Sequence, residues 1–108
     1  MAFLPGRKSE QRVPILNPKP GTKPVRISAT RYYDLKGAML CKLGASAQGI
    51  AFADLADACS DSISSPLWEG SSLGWYVTSV KLDLEARGLI HRTSRKGRQL
   101  VHLGPGAG

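Results

Sequence analysis

The 108-residue chain contains no run of eighteen or more apolar residues, so no transmembrane helix is expected. Its opening, Met1-Ala2-Phe3-Leu4-Pro5-Gly6, lacks the long apolar core of a signal peptide. Cysteine is scarce. Cys41 and Cys59 both fall in segments expected to be helical, among apolar neighbours. Buried, reduced thiols in a cytoplasmic protein are the expectation, and a disulfide is the lesser alternative. The two cysteines and two histidines show no metal-ligand spacing, so neither a metal nor another cofactor is expected. No motif sets a serine or cysteine beside His91 or His102, and the acids read as helix-surface residues, so an enzyme is not expected.

Acids are the scarcest charge at both ends of the chain. Residues 1–31 hold seven Lys or Arg against Glu10 alone, a net +6. Residues 32–85 hold three bases and seven acids, a net −4. Residues 86–108 hold five bases and no acid, a net +5, which completes the +7 of the whole chain. A basic arm and a basic end around an acidic body point to a polyanionic partner, usually nucleic acid. The plainer alternative is a solvated tail that aids solubility.

The length suits one domain. Residues 1–24 carry five prolines and read as an extended basic arm, with residues 1–12 expected to be disordered. Val13-Pro14-Ile15-Leu16 is apolar enough to dock on the body. Val25-Arg26-Ile27 alternates and suits a short strand beside the wing described below. The folded unit is expected over residues 25–103. Gly104-Pro105-Gly106-Ala107-Gly108 reads as a flexible tail; no helix follows it, so it is no phosphate loop.

Helix one is expected over about Ala29–Leu43, capped by Ser28 and stopped by Gly44. Tyr32, Leu35, Met39, Leu40 and Leu43 form its apolar side, and Lys36 within that side must snorkel outward. Helix two is expected over about Phe52–Cys59, with Phe52, Leu55, Ala56 and Cys59 on one face. Pro66 and Gly70 break the polar stretch that follows, where Leu67 and Trp68 are suited to anchor it on the core.

Helix three organises the rest. Leu73, Val77, Val80 and Leu84 recur at steps of four, three and four, which lines one side of a helix. Ser71 or Ser72 suits its cap, and Gly88 suits its stop, with Leu89 folding back on Leu84. A second line, Trp75, Leu82 and Ala86, lies roughly opposite. A helix apolar on two sides is sandwiched, inside the monomer or at a partner surface. Thr78, Lys81 and Glu85 form one polar stripe; Ser72, Ser79 and Asp83 form the other, with Tyr76 at its edge. After Gly88 the period changes to that of strands. Leu89–Ser94 and Arg98–Leu103 read as a hairpin connected by Arg95-Lys96-Gly97.

A helix, a glycine stop and a hairpin with a basic tip follow the order of a winged helix-turn-helix. The run Leu84-Glu85-Ala86-Arg87-Gly88-Leu89-Ile90-His91-Arg92 resembles the helix-three-to-wing passage of bacterial winged-helix regulators. With Leu16-Asn17-Pro18 and Gly74-Trp75-Tyr76-Val77, the chain is similar over about residues 15–103 to a family of short uncharacterised bacterial winged-helix proteins. The resemblance implies a mainly α fold with a small β-hairpin (α+β): three helices and a two- or three-stranded antiparallel wing. It also implies double-stranded DNA as partner, with helix three near the major groove.

The helix-three positions that match base-contacting ones are Ser72, Tyr76, Ser79 and Asp83. None is Arg or Lys, whose bidentate contact to guanine is the commonest specific one, and Asp83 is expected to repel phosphate. Arg92, Arg95, Lys96 and Arg98 cluster on the hairpin and suit phosphate or minor-groove contact. Two expectations from different classes result. One is a DNA-binding module, a small regulator that uses the wing and the arm. The other is a protein-interaction module in which Trp75, Leu82 and Ala86 join a homodimer or another partner.

Overall fold

Helices carry the core of the structure, a computed structural model in which residues 11–19, 21, 23 and 25–104 are described. Disorder was expected for residues 1–12 and a flexible tail for 104–108; residues 1–10 and 105–108 lie outside the described residues, whereas Arg12 belongs to a strand and the Gly104 N–H donates to Leu89 O at 2.8 Å. Ser28 accepts a hydrogen bond from the Arg31 N–H at 3.3 Å and opens helix α1 (Ala29–Gly44). Tyr32, Leu35, Met39 and Leu43 are buried along its inner face, at the spacing expected of them. Lys36 is half-buried and lays its ammonium 5.8 Å from the ring centres of both Tyr32 and Tyr33.

Helix α2 (Phe52–Ser60) buries Leu55 and Cys59. A single helical turn, α3 (Ser65–Trp68), follows it and brings the helices to four, where three were expected. Pro66 sits in its first turn, where no intrahelical N–H is needed. Trp68 is buried, and its Nε1–H donates to Asp34 Oδ2 at 2.8 Å. That contact anchors a stretch whose composition reads as loop.

Helix α4 (Leu73–Ala86) starts at Ser72, whose hydroxyl accepts from the Trp75 N–H at 3.3 Å. Val77, Val80 and Leu84 are buried. At its end the Leu89 N–H reaches Leu84 O at 2.9 Å and the Gly88 N–H reaches Glu85 O at 3.1 Å. Gly88 stands at φ 79°, so this is the paired closure that a left-handed glycine permits.

Strand β1 (Arg12–Ile15) pairs antiparallel with β2 (Val25–Ser28), Arg12 opposite Ser28 and Ile15 opposite Val25. Val25–Ile27 was expected beside the wing. It pairs instead with the arm, because Ile15 and Ile27 can then both be buried in the core. The proline-rich segment is therefore extended but packed from Arg12 onward. The second sheet is antiparallel with order β3 (Ile50–Ala51), β5 (Arg98–Leu103), β4 (Ile90–Arg95). The β4–β5 turn uses two residues rather than three: Lys96 at φ 52° and Gly97 at φ 79°. Arg95 already belongs to the ladder, opposite Arg98. The described residues form an α+β fold, four helices with two small antiparallel sheets.

Three side chains depart from the helical-wheel reading. Lys81 and Asp83 were assigned to polar stripes, and both are buried. The reason is that α4 packs against α1, α2, β1 and β4, so its flanks are covered as well as its inner face. Cys41 was expected among apolar neighbours and is exposed, while Cys59 is buried. Position 41 lies off the stripe that runs through Tyr32, Leu35, Met39 and Leu43.

Candidate nucleic-acid interface

The β4–β5 hairpin projects from the body. Within β4 only Ile90 is buried, and His91 to Arg95 are exposed. Its four cations are not equivalent. Arg92 Nε stands 3.1 Å from Glu85 Oε2, and Arg98 Nη2 stands 3.7 Å from Asp54 Oδ2. Arg95 and Lys96 have no ion pair among the described residues. At the tip Arg95, Lys96, Arg98 and Leu100 bound one open concavity. Lys96 holds a left-handed backbone conformation that is unfavourable for a lysine and required by a tight two-residue hairpin turn.

The acids of the body are largely committed. Asp83 is fully buried and collects three donors: the Leu16 N–H at 2.8 Å, the Arg87 Nε at 2.9 Å and the Tyr32 hydroxyl. The hydrogen bond to Asp83 raises the Arg87 guanidinium above its ordinary value. Burial first, and the bond to Asp83 second, raise the Tyr32 phenol. Asp83 therefore does not confront a DNA groove; the repulsion expected of it is absent because the carboxylate is inside the protein. Glu85 Oε1 lies 3.1 Å from the buried Lys81 ammonium, as an ion pair rather than a directed hydrogen bond. The same ammonium sits 5.3 Å from the Phe52 ring centre. Glu85 thus joins α2, α4 and the β4–β5 hairpin through Lys81 and Arg92.

Two of the α4 candidates, Ser72 and Tyr76, are engaged within the chain. Ser72 is the helix cap. The Tyr76 hydroxyl accepts from Arg31 Nη1 at 3.1 Å, and its ring meets Trp68 and Trp75 edge-on, each at 5.0 Å. Arg31 also donates from Nε to Leu67 O at 3.1 Å, so this cation, counted with the basic arm, is a structural tie. Ser79 lines a groove with Leu82, Ile15, Leu16 and Val25. The outward stripe of α4 is Trp75, Ser79, Leu82 and Ala86. Trp75 is 48 % exposed, Ala86 is exposed and Leu82 half-buried. Helical spacing brings these four together; the hairpin brings Arg92, Arg95, Lys96 and Arg98 together; and the two groups form separate surfaces.

His91 and His102 face each other across the hairpin, stacked at 4.9 Å and 15°. His102 Nε2 shares a hydrogen bond with Thr93 Oγ1 at 2.9 Å. Among the described residues no three of His, Cys, Asp and Glu gather as a metal site, and no helix is long and apolar enough to cross a membrane. Sequence reasoning missed the Asp83 hub and the Arg31 tie. Their partners lie 67, 51, 36 and 45 positions away in sequence, beyond any local pattern.

Fold and surface define a small α+β domain with a projecting cationic hairpin. The chain belongs to a family of unknown function (DUF6958), whose model matches residues 12–100. No curated protein and no solved structure matches it.

Proposed function

We propose that this chain is a cytoplasmic winged helix-turn-helix module that holds double-stranded DNA by its phosphates, with the β4–β5 hairpin as its wing. The fold assignment is supported by the order α1, β3, α2, α4, β4, β5, in which a short strand between the first two main helices joins the hairpin that follows the third in one three-stranded antiparallel sheet. The observation that carries the functional reading is the tip. Arg95 and Lys96 are exposed, without an ion pair among the described residues, and set around one concavity with Arg98, which also faces the exposed Asp54 at 3.7 Å, while Glu85 and Asp83 are neutralised by Lys81, Arg92 and Arg87.

Such a surface binds by releasing counterions from DNA, so its affinity depends on salt more than on sequence. The outward stripe of α4 offers no Arg or Lys, so it supplies little direct base readout. The test is a fluorescence titration of random duplex DNA at two salt concentrations. The parent should bind with a steep salt dependence. Changing Arg95, Lys96 and Arg98 together to glutamine should make the log–log slope shallower by roughly 2 to 3, at about 0.9 per phosphate contact. A parent that does not bind, or a triple variant that binds equally well, overturns the reading.

The second reading, a protein-contact module without a DNA target, is favoured by the exposure of Trp75 beside Leu82 and Ala86.

A further inference from the structure

Both histidines of the chain stand on one face of the β4–β5 hairpin. Side chains alternate between the faces along each strand. Ile90 and Val101 mark the core side and are buried. His91, Thr93 and Arg95 share the outer side with His102, Leu100 and Arg98. The concavity at the tip, bounded by Arg95, Lys96, Arg98 and Leu100, is the far end of that outer face, and the histidine pair is its near end. Four residues of strand, about 13 Å at about 3.3 Å each, separate His91 from Arg95, and one strand of a duplex covers that length in about four nucleotides. A DNA backbone held at the tip therefore reaches the imidazoles.

The pair is held in position. His102 Nε2 shares a hydrogen bond with Thr93 Oγ1 at 2.9 Å. Its ring lies against Gly49, where a Cβ would come within 2.7 Å of it. His91 stacks on that ring at 4.9 Å and 15° and is itself exposed.

The charges around the pair are of one sign. Arg95 and Arg98 lie farther out on the same face, and Arg98 faces Asp54 of α2 at 3.7 Å. Arg92 turns to the core side, toward Glu85 of α4. Residues 45–51, which form β3 and the loop before it, hold no titratable side chain. Helix α1 approaches β5 on the core side, where Gly44 adjoins Leu103. Among the described residues no carboxylate pairs with either imidazole.

Imidazole is the side chain whose charge ordinarily changes between about pH 5 and 8. Two stacked imidazolium rings repel each other, so a pair this close takes up its protons as one coupled unit. An oxyanion seated against both rings removes that repulsion, and the added proton arrives with it.

We infer that His91 and His102 form a phosphate-binding site on the outer face of the hairpin, which holds a backbone phosphate of duplex DNA as an imidazolium pair and couples DNA binding to proton uptake. This rests on the DNA reading of the hairpin and extends its contact surface from the tip to the base.

The experiment is a fluorescence titration of random duplex DNA at about pH 8 and about pH 6, each over a series of salt concentrations. The parent should bind roughly tenfold tighter at the lower pH, and its log–log salt slope should steepen by about 1 to 2, at about 0.9 per added phosphate contact. The His91→Gln, His102→Gln double variant should lose that pH response while still binding through the tip. His91→Gln alone, at an exposed position, should reduce the response. His91→Arg fixes a positive charge there, so it should bind more tightly than the parent at the higher pH and respond less to acid. Circular dichroism at both pH values checks that each variant stays folded.

A parent that binds equally well at both pH values overturns the inference and leaves the DNA reading standing. A double variant that keeps the pH response also overturns it, since the protons then bind elsewhere, as at the chain's amino terminus. A parent that binds at neither pH overturns the DNA reading and this inference with it.

Discussion

Tyr32 of α1 donates its hydroxyl hydrogen to Asp83 of α4, 51 positions later, and neither side chain reaches solvent. The carboxylate is satisfied by that phenol, by Arg87 and by the Leu16 N–H, so one buried anion ties α1, α4 and the end of β1 together. Removing it leaves a buried phenol and a backbone donor without their acceptor, while the exposed Arg87 guanidinium returns to water. Asp83→Ala should therefore cost about 2–4 kcal/mol in urea denaturation, from two buried donors left without an acceptor. Tyr32→Phe removes one bond and should cost about 1–3 kcal/mol. An Asp83→Ala chain as stable as the parent would show that the hub contributes nothing to folding.

Lys96 sits at φ 52°, where asparagine or glycine fits better. Lys96→Asn should stabilise the chain by about 1 kcal/mol. It should also weaken DNA binding and reduce the salt slope by about 0.9. A gain in stability with DNA affinity unchanged would separate the lysine from the proposed contact.

Burial lifts the Cys59 thiol from its ordinary 9.0 to about 11, with Lys42 opposing the shift. The folded thiol keeps its proton at a pH where the unfolded one loses it. The resulting stabilisation is complete below about pH 9 and is lost as pH rises toward about 11. The Tyr32 phenol, whose ordinary value is 10.0, is raised as well and adds in the same direction at higher pH. The urea midpoint should be level between neutral pH and 9.0 and decline above it. Cys59→Ala should flatten the decline between the onset of thiol ionisation and that of tyrosine. At neutral pH a thiol reagent should modify Cys41 quickly and Cys59 only on unfolding, and equal rates would contradict the burial of Cys59.

Two glycines should respond in opposite directions to alanine. Gly49 stands at φ 84°, and a Cβ there would lie 2.7 Å from the His102 ring and 2.8 Å from Val101 O. Gly49→Ala should lose about 2–4 kcal/mol from backbone strain and overpacking together. Gly37 is exposed within α1, and a Cβ there meets nothing within 4 Å. Gly37→Ala should gain about 0.5–1 kcal/mol in helix propensity. Thermal denaturation of the pair reads both signs in one experiment.

Local chemistry was legible in the amino-acid order. The Ser28 cap, the buried stripe of α1, the Val77-Val80-Leu84 face and the closure at Gly88 each depend on side chains a few positions apart. Their periodicity reports them directly. The cationic hairpin was visible for the same reason, although its turn proved one residue shorter. The one-turn helix at Ser65–Trp68 was not visible, because Trp68 fixes it by bonding to Asp34, 34 positions earlier.

Which charges remain available to a partner was decided by the tertiary structure alone. A charge tally assigns Arg31 to the basic arm and Asp83 to the helix surface, yet packing turns both into internal ties. Sequence determined where the three longer helices begin and end and where positive charge accumulates, since those depend on neighbours along the chain. Packing determined that β2 joins the arm rather than the β4–β5 hairpin, that Lys81 and Asp83 are buried, and that Arg95 and Lys96 have no ion pair among the described residues. The reason is that a charged side chain is neutralised by what lies near it in space, and for Asp83 and Arg31 those neighbours come from distant parts of the chain.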